Sequence, residues 1–366
     1  MVSIAERMNL IDSSGIRKVF NLAAKMKNPI NLSIGQPDFD VPAPIKESAI
    51  KAIKEGKNRY TLTQGIPELN EKLLDKYQKL YPQNKPESSM IISGVSGGLL
   101  LAFMALINPG DEVLVPDPYF VMYKHLVNLI GGKVVFFDTY PDFKINTDEI
   151  ESKITEKSKI IIINSPNNPT GKILSKEDIK KVVELAKKHN LFIISDEIYD
   201  SYVYEGEYTS VLDFTNNALI LKGFSKTFSV TGWRIGFALG PQDLLKEMIT
   251  LQQYTFVCAP SFAQYAILEN LDYDLTNIIA EYKKKRDTIY NILKDKFEVV
   301  KPEGAFYIFP RVPDGKATNF VEKAIEKNVL IIPGNVFSEK DTHFRISFAA
   351  SLETLKKGGE ILNSLI

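Results

Sequence analysis

Residues 160–199 read IIIINSPNNPTGKILSKEDIKKVVELAKKHNLFIISDEIY. Two short apolar runs, Ile160 to Asn164 and Leu191 to Ser195, flank a longer stretch with helical patterning. Runs that are apolar throughout, rather than alternating, belong to strands covered on both faces, as in a parallel sheet sandwiched by helices. Working outward, Met90 to Ser93, Glu112 to Pro116, Lys133 to Phe137, Leu219 to Lys222 and Ile235 to Leu239 read as further strands, most of them separated by helical stretches. The expected fold class is α/β, with a mostly parallel central sheet flanked by helices.

After Pro241 the pattern changes to long amphipathic helices such as Asp274 to Lys296. Short strands follow near Phe297, Ala305, Val329 and Phe344, with a closing helix from Leu352. This predicts a second, smaller α+β domain. The expected division is an N-terminal arm or part of the small domain over 1–30, a large domain over 31–272 and a small C-terminal domain over 273–366.

Composition narrows the function classes. The 45 Lys plus Arg balance 45 Asp plus Glu, which leaves no net field for a nucleic-acid backbone or an anionic membrane. The longest apolar run, Leu99 to Ile107, is far shorter than the roughly 20 residues of a membrane helix and reads as a buried helix. Three His and one Cys (Cys258) lie scattered, so no metal site is expected, and the single Cys excludes an intrachain disulfide. The opening Met-Val-Ser-Ile-Ala-Glu-Arg lacks the apolar core of a signal peptide, and a cytoplasmic location is expected.

Ligands of parallel α/β sheets sit at the carboxyl ends of strands, so the residues just after each apolar run carry the chemistry. Ser93 to Gly98 form a Gly-rich loop before the apolar helix, able to aim N–H groups at a phosphate or to be an ordinary turn. Ser165-Pro166-Asn167-Asn168-Pro169-Thr170-Gly171 follows Ile160 to Asn164 and offers the Asn168 amide, although its composition also suits a plain turn. Asp196 and Tyr199 end the next strand, and a carboxylate there either caps a helix or wants a cationic or N–H partner.

In Gly223 to Arg234, Lys226 and Arg234 share a segment with few other charges. Such a lysine can lose its proton and act as a Schiff-base nucleophile, and the arginine can pair with a phosphate. In His343 to Phe348 the period of two sets Arg345 opposite Phe344, Ile346 and Phe348, either as a carboxylate clamp or as a solvated edge residue. Together these groups describe a pyridoxal phosphate site acting on amino acids.

The sequence resembles the class I and II aminotransferases, the aspartate aminotransferase-like group of fold type I pyridoxal phosphate enzymes, nearly end to end. Besides those segments, Gly35-Gln36-Pro37-Asp38-Phe39, Tyr60-Thr61, Gly65 to Leu69, Pro116 to Phe120 and Gly304-Ala305-Phe306-Tyr307 carry the resemblance. It implies a large domain that binds pyridoxal 5′-phosphate. It also implies that Lys226 condenses with the cofactor aldehyde and then moves a proton at the substrate Cα, while Asp196 keeps the pyridine nitrogen protonated. Tyr199 and Asn168 would hydrogen-bond the ring 3-oxygen, and Phe120 would stack on the ring. Ser96, Gly97, Ser225 and Arg234 would hold the phosphate, with Tyr60 reaching it from the partner subunit of a homodimer. Gly35, Asn168 and Arg345 would bind the substrate carboxylate.

The implied reaction is ping-pong transfer of an amino group from an L-amino acid to a 2-oxo acid such as 2-oxoglutarate. Three positions depart from the family pattern. Gly223 stands where many relatives carry a phosphate-bonding Ser or Asn, Ser96 where one aspartate subgroup has a lysine, and Phe120 where aspartate enzymes commonly have tryptophan. Ser14-Gly15-Ile16-Arg17-Lys18-Val19-Phe20 looks like relatives acting on alanine or aromatic amino acids, so the expected donors are alanine, an aromatic amino acid or aspartate. A C–S lyase of the same fold is the main alternative. A ligand sensor fused to a DNA-binding module would need a basic recognition helix, and a nicotinamide dehydrogenase a Gly-x-Gly-x-x-Gly turn; neither is found.

Overall fold

The structure, a computed structural model, describes residues 2–366; Met1, where the expected 1–30 arm begins, lies outside the described residues. The first strand, β1 (Ile30–Asn31), is short and belongs to a region completed near the C-terminus. The central sheet contains β2 (Ser88–Ile92), β3 (Glu112–Asp117), β4 (Lys133–Asp138), β5 (Ser158–Asn164), β6 (Phe192–Asp196), β7 (Ala218–Gly223) and β8 (Gly236–Gly240), in the spatial order β2-β8-β7-β6-β5-β3-β4. From β7 to β4 all pairings are parallel, and β8 runs antiparallel to both neighbours.

Why β5 reads as an unbroken isoleucine run is visible in its packing. Ile160 and Ile162 enter one hydrophobic cluster and Ile161 and Ile163 the other, on opposite faces, and none is more than 3% exposed. Helix Gly94–Leu106 contributes to the first cluster, and helix Lys176–Lys188 covers the second with Ile179, Val182 and Leu185. A capping box starts that second helix: the Ser175 hydroxyl accepts from the Asp178 amide, and the Asp178 carboxylate accepts from the Ser175 amide.

The Gly-rich stretch after β2 differs from the expected loop. The helix begins at Gly94, not Leu99, so Ser96, Gly97 and Gly98 are helical. A side chain at Gly98 would collide with Ile92 and Leu221, and its absence lets the helix lie close on β2 and β7.

Beyond the sheet come helix Thr276–Leu293, β9 (Tyr307–Ile308), helix Ala317–Glu326, β10 (Val329–Leu330), β11 (Ile332–Pro333), β12 (Phe344–Ser347) and helix Leu352–Asn363. β1 pairs parallel with β10, while β11, β12 and β9 form an antiparallel sheet. The expected strands near Phe297 and Ala305 are reduced to single bridges, Glu298 with Arg311 and Gly304 with Val203; Ala305, at φ +52°, turns the chain before β9. Val19 of the N-terminal helix Gly15–Ala23 packs with Leu330, Ile332 and Phe337. Among the described residues no helix is long and apolar enough to cross a membrane, and no group of three His, Cys, Asp or Glu could hold a metal.

Candidate active site

Three adjacent parallel strands deliver the centre of the site. β5 ends at Asn164, β6 at Asp196 and β7 at Gly223, from which the short helix Phe224–Thr227 carries Ser225 and Lys226. Asn164 ties the first two ends together: its Nδ2 donates to the Asp196 carbonyl at 2.9 Å, and its Oδ1 accepts from the Asn168 amide at 2.9 Å. The loop after β5 thereby brings Asn168 alongside Asp196.

These residues open into a cleft of about 520 Å³. Of the residues expected at a site, Gly35, Ser96, Phe120, Asn168, Asp196, Tyr199, Ser225, Lys226, Arg234 and Arg345 line it. Gly97 is buried in the helix behind Ser96 and is not part of the wall. Tyr60 is not brought to the cleft either; its side chain is 85% exposed.

Lys226 Nζ donates to the Gly35 carbonyl at 2.6 Å. Burial, reinforced by the Arg234 and Arg345 charges, pushes its pKa down to about 8, so roughly a tenth is free amine at pH 7. Asp196, 2% exposed, is pushed up to about 6 by burial, while hydrogen bonds hold that rise in check. The Tyr123 hydroxyl donates to its Oδ2 at 2.8 Å and the Ile198 amide to its Oδ1 at 3.2 Å. Each oxygen keeps a lone pair for another donor.

Arg345 is 1% exposed, which rules out the solvated edge position. Its guanidinium is held between the rings of Tyr307 and Phe337, each at 4.5 Å. Nη1 donates to Asn168 Oδ1 at 3.0 Å and Nη2 to the Ser33 carbonyl at 2.9 Å. Its buried Nε has no hydrogen-bond partner among the described residues. Tyr199 Oη and Tyr307 Oη share a hydrogen bond of 2.8 Å beside it.

An anion cup lies at the other end of the cleft. The N-terminus of helix Gly94–Leu106 presents free N–H groups and the positive end of its dipole, with the Ser96 and Ser225 side chains nearby. Arg234, itself at φ +53°, lays its guanidinium against this first turn: a Cβ on Gly94, at φ +69°, would stand 2.9 Å from Arg234 Nη2. Gly94 is therefore required both by its backbone conformation and by the arginine. The donor set of amine, buried carboxylate, phenol, aromatic face and anion cup fits pyridoxal 5′-phosphate.

The family model for aminotransferase class I and II matches residues 27–360. The chain belongs to this family. A probable aspartate aminotransferase from Methanocaldococcus jannaschii is 42% identical, over 99% of each chain. An aromatic-amino-acid aminotransferase from Thermococcus litoralis is 35% identical, over 100% of this chain and 98% of the relative. The structure of Thermus thermophilus aspartate aminotransferase with maleate superposes with a TM-score of 0.96 at 32% identity, covering all of both chains. This aminotransferase thus has the fold type I architecture, and its substrates are an amino acid and an oxo acid.

Sequence reasoning missed Tyr123, which holds Asp196, and gave no role to Asn164 or Tyr307. Tyr123 lies in the first turn of helix Met122–Leu129, just after the non-helical Phe120, and the two rings meet edge to face at 5.7 Å.

Proposed function

We propose that the chain is a homodimeric, cytoplasmic aminotransferase using pyridoxal 5′-phosphate. Its donor is aspartate, alanine or an aromatic L-amino acid, its acceptor is 2-oxoglutarate, and the two half-reactions run by a ping-pong mechanism. The observation that carries this reading is Lys226, a half-buried amine of depressed pKa that shares the cleft with Asp196 and Arg345. The names of the relatives, for aspartate and for aromatic amino acids, support the donor range.

When bound, the cofactor supplies an electrophilic aldehyde and a pyridinium ring that withdraws electrons. Lys226 Nζ would be the group that holds the cofactor at its aldehyde carbon, and as a free amine it would serve as the base that takes the proton from the substrate Cα. Asp196 would hold the proton on the ring nitrogen, and that cation would lower the carboxyl pKa from its value of about 6. Tyr199 and Asn168 orient the ring through its 3-oxygen, and Phe120 covers one face. Arg345 fixes the substrate carboxylate by a planar double hydrogen bond, which sets the Cα–H bond towards Lys226. Ser96, Ser225 and Arg234 would anchor the phosphate, and Tyr60 would complete the cup of the neighbouring subunit. The large domain over 31–272 carries the cofactor, and 1–30 with 273–366 forms the smaller one.

The test is the visible spectrum of the purified enzyme before and after single amino acids are added without an oxo acid. Conversion of the bound chromophore to its amino form, with release of the matching oxo acid and reversal by 2-oxoglutarate, is the expected result. A chromophore that never converts, or ammonia release without an acceptor, refutes the transaminase reading. Lys226→Ala is expected to abolish turnover.

A further inference from the structure

The turn bearing Asp196 and Tyr199 carries two more acids, Glu197 and Asp200, that face away from the cleft. Both reach Lys222 on β7, four residues before Lys226. Lys222 Nζ stands 3.0 Å from Glu197 Oε2 and 2.5 Å from Asp200 Oδ2, and the lysine is 3% exposed. The rings of Tyr77 and Tyr208 lie on the ammonium at 5.3 and 5.1 Å. Glu197 is fixed from its other side by Ser195 Oγ at 3.0 Å and Ser210 Oγ at 2.8 Å, both donating to Oε1. Two further bonds tie the same region together: the Glu197 amide donates to the Leu221 carbonyl at 2.9 Å, and the Tyr202 side-chain hydroxyl to the Lys226 carbonyl at 2.8 Å.

We propose that Lys222, Glu197 and Asp200 form a buried positioning clamp that holds the Asp196–Tyr199 turn in register with the strand and short helix that present Lys226. The reasoning is geometric. A buried ion cluster contributes little net stability over apolar residues of the same volume, but it fixes where its members stand. Asp196 and Tyr199 alternate in sequence with the clamped acids. Moving Glu197 or Asp200 therefore moves the groups that would contact the ring nitrogen and the 3-oxygen. Arg345 comes from β12 and is held by Asn168, Ser33, Tyr307 and Phe337; among the described residues none of these is hydrogen-bonded to Lys222, Glu197 or Asp200, and the clamp reaches Arg345 only indirectly, through Tyr199 on Tyr307 and Asn164 on Asn168.

This inference rests on the cofactor roles given to Asp196, Tyr199 and Lys226. Its test titrates pyridoxal 5′-phosphate into the cofactor-free full chain, and then measures kcat and KM of the loaded enzyme, for the wild type, Lys222→Met and Asp200→Asn. Asp200→Asn leaves the Lys222–Glu197 pair in place and is the milder variant, which serves if Lys222→Met does not fold. The expected result is about tenfold weaker cofactor binding, the loss of roughly one ring hydrogen bond, together with a lower kcat and an unchanged KM for the amino acid. A folded variant that binds the cofactor with wild-type affinity and keeps its kcat overturns the clamp, as does a rise in KM alone. If the wild type itself binds no cofactor, the functional reading falls first and the clamp with it.

Discussion

Tyr123→Phe removes one hydroxyl and leaves the ring, so it isolates the bond to Asp196 Oδ2 at 2.8 Å. Asp196 titrates at about 6, above the ordinary 3.8, because burial outweighs the bonds from Tyr123 and Ile198. A hydrogen bond to a charged acceptor is worth about 1.5 to 3 kcal/mol, and one pKa unit corresponds to about 1.36 kcal/mol. The bond to the protonated carboxyl is worth about 0.5 to 1.5 kcal/mol, so losing the difference of about 1 to 1.5 kcal/mol should raise Asp196 by roughly one unit. Between 3.8 and about 6 the wild-type folded state binds more protons at this group than the unfolded chain, so its contribution to stability falls as pH rises through that window. In the variant the fall continues to higher pH.

At pH 5 the wild-type carboxyl is largely protonated, and the hydroxyl contributes only about 0.5 to 1.5 kcal/mol, the range for a neutral bond. Urea unfolding of the cofactor-free protein should therefore show the variant destabilised by about 1.5 to 3 kcal/mol at pH 8 and by clearly less at pH 5. Equal destabilisation at both pH values would refute the assignment of Tyr123 as the donor that holds the Asp196 carboxylate.

Three further outcomes follow from the site. Arg345→Lys keeps the charge but loses the planar fork. It should cut kcat/KM for every donor by about a hundredfold while the chromophore stays bound, and steady-state kinetics with two donors would show it. Gly94→Ala strains the φ of +69° and pushes on Arg234; the affinity advantage of pyridoxal phosphate over phosphate-free pyridoxal should shrink by about tenfold, measured by titration of the cofactor-free chain. If Tyr60 serves the partner's site, then mixing inactive Lys226→Ala with Tyr60→Ala subunits should restore one intact site per hybrid dimer, or about a quarter of wild-type activity in a random mixture. A Tyr60→Ala homodimer with wild-type activity would place Tyr60 outside the site, and no recovery on mixing two inactive variants that exchange subunits would assign it to the site of its own subunit.

Local sequence decided what each segment becomes. The isoleucine run of β5 could be read because both faces of that strand meet apolar helices, so hydrophobicity without alternation is its signature. Asp196, Lys226 and Asn168 could be read because each follows directly on such a run, and strand ends are where parallel sheets hold ligands. The start of helix Gly94–Leu106 was misjudged because glycine is a poor helix former, and only packing on Ile92 and Leu221 explains why Gly98 is inside it.

Tertiary structure alone decided which groups become partners. Arg345 meets Asn168 across 177 positions of sequence, Tyr123 meets Asp196 across 73, and Lys222 meets Asp200 across 22. Each of these contacts depends on strand order and on how close one element lies to the next, and side-chain periodicity carries no record of either. The same packing buries Asp196, partly desolvates Lys226 and moves their pKa values towards each other, to about 8 for the lysine and about 6 for the aspartate. The residue types were written in the chain, but their chemistry depends on desolvation, which arises only when the cleft has closed around them.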